Sequence, residues 1–129
     1  MTPPQIVLER TWVPGTPRTW GDRKLEDAWF ASVRAAAGDL TESRLDRFEV
    51  QLEFLIHPGS RSYRSQLSRH GPVLDILVKC TIDGLCYTDG RGAGIIPMDY
   101  QIYPIHASKA LVGDDSETGV WITITGSQT

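Results

Sequence analysis

Hydrophobic and polar residues alternate from Arg47 to Ile56, RFEVQLEFLI, with Leu55 the one apolar residue out of phase. Phe48, Val50, Leu52, Phe54 and Ile56 point one way, while Arg47, Glu49, Gln51 and Glu53 point the other. A period of two over ten residues predicts a half-buried strand of an antiparallel sheet, with one face on the core and one in water. Upstream the period changes. Leu25, Ala28, Trp29, Ser32, Val33 and Ala36 recur at i, i+3 and i+4, which predicts a helix over Asp22–Ala37, with Gly38 as its stop. Trp29 falls in the middle of that face and is assigned to the core. IVLERTW, Ile6 to Trp12, reads as a first strand ended by the proline- and glycine-bearing loop VPGTPRT.

The segment GPVLDILVKCTIDGL, Gly71 to Leu85, predicts a second helix entered through Pro72. At 100° per residue, Leu74, Leu77, Val78, Thr81, Ile82 and Leu85 share a broad apolar face that meets the sheet. Asp75, Lys79 and Asp83 form a row on one flank. Val73, Ile76 and Cys80 form a second apolar stripe on the other, where a partner subunit is expected to dock. After the glycine-rich connection CYTDGRGAGIIP, Tyr100–His106 and Gly119–Thr125 read as two closing strands, expected to be antiparallel neighbours joined through GDDSETG. The order β-α-β-α-β-β defines an α+β class, a small antiparallel or mixed sheet of about four strands with two helices.

Composition narrows the picture without naming a function. At 129 residues, 40% hydrophobic and 22% charged, the chain is sized for one globular domain spanning 1–129. A net charge of −3 gives no overall attraction to nucleic acid, so DNA binding would need a local basic patch. RSYRSQLSRH, with Arg61, Tyr63, Arg64 and Arg69, is such a patch, although a solvated loop accounts for it equally well. Cys80 and Cys86 lie on opposed sides of a helix and are expected as free thiols, and no zinc-ligand spacing occurs. MTPPQIVLER lacks the basic-then-apolar signature of secretion, and no stretch is long enough to span a bilayer, so a cytoplasmic location is expected.

The Asp75–Lys79–Asp83 row has a plain explanation in two helical ion pairs, each worth about 0.2–0.5 kcal/mol when exposed. A fuller one comes from its context. GPVLDILVKCTIDGL, a glycine-bearing loop, IIPMDYQIYPIHASK and the last strand GVWITIT, in that order, resemble the RusA family of Holliday-junction resolvases from Phe48 to Thr125. The family pattern is an acidic–apolar–acidic–Asn–Leu–x–Lys helix start with a later Asp–Leu pair. A paired-aspartate strand entry Asp–Asp–x–Gln–Val follows, and then a lysine before the last strand.

The resemblance implies that Asp75 is a helix carboxylate of the site and Lys79 its helix lysine. Asp99 is then the second strand-entry aspartate, with Gln101 and Ile102 completing the motif, and Lys109 is the lysine ahead of the final strand. In such enzymes carboxylates hold Mg²⁺ or Mn²⁺ at the scissile phosphate, and a nearby lysine neutralises developing charge. The implied activity is cleavage of branched DNA by a homodimer in a bacterial or phage-infected cell. Asp75, Asp99 and Lys79 would be catalytic, Asp75 and Asp99 the metal ligands, and Arg61, Tyr63, Arg64, Arg69 and Lys109 the DNA contacts. This chain departs from the pattern at Val73, Ile76 and Met98, where the family has Asp, Asn and Asp. The alternative is therefore a RusA-fold module that no longer cleaves and binds DNA or a protein partner.

Overall fold

The computed structural model describes residues 3–17, 23–38, 45–58, 70–86 and 91–128. Four strands and two helices follow in the order β1 (Gln5–Pro14), α1 (Arg23–Ala37), β2 (Arg47–Ile56), α2 (Leu74–Cys86), β3 (Ile102–Leu111) and β4 (Gly119–Ser127). The α+β class expected from the sequence is what these elements build. β2 has the predicted bounds. Phe48, Val50, Leu52, Phe54 and Ile56, the five residues expected on its inner face, are all buried, none more than 1% exposed, while Leu55 on the other face is half-buried.

The sheet is mixed, with strand order β1-β4-β2-β3. β4 runs antiparallel to both β1 and β2, and β3 runs parallel to β2. The expected β3–β4 pairing is therefore incorrect. Closeness in sequence argued for a hairpin, but burial decides otherwise. Val120, Ile122 and Ile124 are fully buried, so β4 takes a central place. β3 is exposed over most of its length and takes an edge. The connecting segment crosses the end of β2. Val112 N–H donates to Ile56 O at 2.9 Å, and His57 N–H donates to Thr118 Oγ1 at 3.2 Å.

Both helices pack on one face of the sheet. The opposite face is solvated and carries Arg10, whose guanidinium lies 4.0 Å from the Trp121 ring centre and bonds Glu53 at 3.2 Å. On α1 the buried residues are Trp29, Phe30, Val33 and Ala37, whereas Ala28, expected on the inner face, is exposed. The helix is rotated from the predicted orientation because it serves two neighbours. Gly84 explains the close approach of α2. A Cβ there would lie 3.2 Å from Val33 Cγ2 and 3.3 Å from Phe30 Cδ1, so a hydrogen at this position lets the helices touch. Arg91 fastens the chain beyond α2 to α1 by pairing with Glu26 and Asp27, its guanidinium over Phe30.

α2 begins later than predicted. Gly71 has φ +71, a left-handed conformation that glycine adopts freely, and Pro72 precedes the first helical residue by two. The broad apolar face is only partly as expected. Leu77, Thr81, Ile82 and Leu85 are buried, but Leu74 and Val78 are half-exposed. Cys80, expected with Val73 and Ile76 on an outer stripe, is fully buried, while those two are 59% and 40% exposed. The stripe therefore breaks up: contact with α1 on a second side of α2 draws Cys80 inward.

Candidate active-site groove

A groove of about 610 Å³ runs between α2 and β3. Leu74, Asp75, Val78, Lys79 and Ile82 come from the helix, Ile105 and Ala107 from the strand, and Asp99 and Tyr100 from the turn that opens the strand. Asp75 and Asp99, twenty-four positions apart in the chain, thus line one concavity together with Lys79. Local rules explain the placement. Asp75 lies in the first turn of α2, where a carboxylate is favoured by the positive end of the helix dipole. Lys79 is one turn further on.

Asp99 stands at the start of a 3₁₀ turn, Asp99–Gln101, and Gln101 holds that turn in place. Its Oε1 accepts from Met98 N–H at 3.0 Å, and its Nε2 donates to Asp46 O at 3.3 Å. The glutamine of the sequence DYQI is thus a brace for the aspartate two positions before it.

Among the described residues, neither Asp75 nor Asp99 has an ion-pair or side-chain hydrogen-bond partner. Lys79 pairs with Asp83 at 3.0 Å, so one of the two expected helical ion pairs is present and the one to Asp75 is not. Two carboxylates in one groove, neither paired among the described residues, make it attractive to a cation. The charge of Asp99 is also felt at the end of α2. Burial, reinforced by Asp99 and Asp83, pushes the Cys86 thiol up to about 12.

Other acids considered from the sequence do not join the groove lining. Asp83 faces Lys79, Asp114 accepts from Ser116 N–H at 2.8 Å, and Asp89 lies outside the described residues. Among the described residues, no group of three or more His, Cys, Asp or Glu side chains is arranged to hold a metal. Two carboxylates still fit a largely hydrated magnesium ion, which commonly keeps several waters and takes one or two protein oxygens.

Lys109 is placed differently from the other proposed site residues. Its ammonium donates to the carbonyls of His70 at 2.8 Å and Pro72 at 3.0 Å, and so ties β3 to the entrance of α2. Arg61, Tyr63, Arg64 and Arg69 lie outside the described residues. Sequence reasoning missed the apolar half of the groove. Leu74 and Val78 were given to the sheet, and Tyr100 and Ile105, 73% and 42% exposed, were not singled out. The signal was an apolar helix face broader than a thin sheet edge can cover.

No family model, curated protein or solved structure matches the chain. Among the described residues no helix is long and apolar enough to cross a membrane. Fold and groove together define an α+β domain in which two carboxylates, without partners among the described residues, and a lysine stand around an apolar floor.

Proposed function

We propose that this chain is a RusA-like, divalent-cation-dependent endodeoxyribonuclease acting on branched DNA as a homodimer in the cytoplasm. One observation carries the reading: Asp75, Lys79 and Asp99, singled out from separate parts of the sequence, line the same groove, and both carboxylates are unpartnered among the described residues. Asp75 and Asp99 would hold Mg²⁺ or Mn²⁺, which when bound supplies Lewis acidity and an activated water for phosphodiester hydrolysis. The Lys79 side chain is 60% exposed and would move from Asp83 to a phosphate oxygen as negative charge builds there. Gln101 would keep Asp99 in place. The arginine-rich segment at 61–69 would grip the DNA backbone.

Purified protein incubated with a four-way DNA junction and Mg²⁺ or Mn²⁺ tests this. Cleavage that Asp75→Asn and Asp99→Asn abolish is expected. Wild-type activity no higher than that of either variant overturns the assignment.

A second reading rests on Val73, Ile76 and Met98, which are 59%, 40% and 48% exposed and supply no charged ligand. It is a RusA-fold module that binds DNA or a protein without cutting. Cleavage that appears only in a Val73→Asp, Met98→Asp double variant would favour it.

A further inference from the structure

β3 is the outermost strand on its side of the sheet, and the free edge follows a simple rule. Val112 N–H points to β2, where it meets Ile56 O at 2.9 Å. In a parallel ladder the backbone groups of successive residues alternate in direction, so residues 110, 108 and 106 also face β2. The N–H and C=O groups of Ile105, Ala107, Lys109 and Leu111 therefore face outward, and among the described residues no strand pairs with them.

Natural edges are normally protected by charge, proline or a bulge. Here those devices stop short. The irregular register and Pro104 lie ahead of Ile105. The one lysine is turned inward onto the carbonyls of His70 and Pro72, so its charge does not guard the edge. Meanwhile Ile105 and Leu111 are 42% and 47% exposed.

We infer that this edge pairs with β3 of a second copy, antiparallel about a two-fold axis through Ser108, so that two sheets join into one. Only outward-facing residues can exchange hydrogen bonds, and the register centred on Ser108 matches all four reciprocally. Ile105 meets the second copy's Leu111, and Ala107 meets its Lys109, each twice by symmetry. Both pairs lie on the helix-covered face, since Ile105 and Leu111 are in register with the buried Val50 and Ile56. The two exposed apolar side chains thus cover each other. The occupant is a second copy because the edge complements itself in both hydrogen bonding and apolar contact. This places the interface on the strand rather than on the Val73–Ile76–Cys80 stripe, and it holds whether or not the groove cleaves DNA.

The register makes a sharp test. Ser108 residues of the two copies stand opposite each other in a non-hydrogen-bonded pair with Cα atoms about 4.5 Å apart, within the range a disulfide spans. Full-length Ser108→Cys should form a linked dimer under mild oxidation. His106→Cys and Ala110→Cys each place the two thiols about 14 Å apart along the strands and should not. Native thiols interfere little, because burial holds Cys80 and Cys86 up at about 12.

Light scattering of the wild type should give twice the chain mass of 14.3 kDa. Ile105→Lys should weaken the dimer roughly tenfold or more while leaving the melting temperature of the dilute protein nearly unchanged. A wild-type monomer at high micromolar concentration overturns the inference. So does a dimer that Ile105→Lys leaves intact and Ser108→Cys fails to link. DNA cleavage is measured separately, so failure here is distinct from failure of the nuclease assignment.

Discussion

The ammonium of Lys109, on an edge strand, lies 2.8 Å from the carbonyl oxygen of His70, just ahead of α2. With its second bond to Pro72 O at 3.0 Å, it ties together the two elements that wall the groove. Lys109→Met should cost about 1.5–3 kcal/mol, the usual range for hydrogen bonds to a charged group. Urea denaturation measures this. Junction cleavage should fall as well, because α2 carries Asp75; unchanged stability would show that the two bonds contribute nothing.

Asp99 depends on Gln101 for its setting, and this is separable from charge. Gln101→Ala removes the bonds to Met98 N–H and Asp46 O without touching a carboxylate. Junction cleavage in Mg²⁺ should drop, by less than the roughly 100-fold or greater loss expected for Asp99→Asn. Equal losses for the two variants would argue that Gln101 contacts substrate rather than bracing the turn.

Gly119 opens β4 where Val13 and Trp12 of β1 crowd its backbone. A Cβ there would run into the carbonyl of Val13 and the ring of Trp12. Backbone cannot yield as a flexible side chain does, so Gly119→Ala should destabilise by about 3 kcal/mol or more. Gly113→Ala, where a Cβ meets nothing within 4 Å, serves as the control. Thermal melting of the pair distinguishes steric conflict from a general intolerance of alanine.

Acid should loosen the α1–Arg91 clasp. The hydrogen bond from Arg91, with Arg23 assisting, holds the Asp27 carboxyl below its ordinary 3.8. A lowered folded-state value means the stabilisation is complete above 3.8 and is lost as pH falls through the folded value. The melting temperature of Asp27→Asn should therefore converge on that of the wild type as pH is lowered below 3.8. Melting curves from neutral pH into that range check it.

The cysteines report on integrity from the other side of the pH scale. Burial raises both Cys80 and Cys86 from 9.0 to about 12, so their thiols remain protonated in the folded chain at neutral pH. Alkylation by iodoacetamide should be slow until the protein unfolds, when both sites react together. Their contribution to stability is complete below 9.0 and is lost as pH rises towards 12. Rapid labelling of the native protein at Cys80 would contradict its burial.

The sequence was most legible where one period governed a whole element. β2 shows this best, because its alternation reflects a single boundary between core and water. α1 was harder. Its burial answers to a sheet and a helix at once, and an inner face drawn for one neighbour took in Ala28, which is exposed, and did not take in Phe30, which is buried. β3 was misplaced next to β4 because neighbouring segments with a short connection look like a hairpin, and no residue type announces a crossing over β2. In the groove, Asp75, Lys79 and Asp99 were legible as charged residues in an ordered series. Its apolar floor was not, since Leu74 and Ile105 look like ordinary core residues until the sheet is seen to end beside them.

The position of β4 has a consequence for how the protein is made. The ribosome releases this strand after β1 and β2, yet it is the one that joins them. During translation, therefore, β1 has no strand to pair with, and the apolar row of β2 lacks its neighbour on that side. Both remain open to chaperones, or to the wrong partners, until β4 emerges and pairs with them.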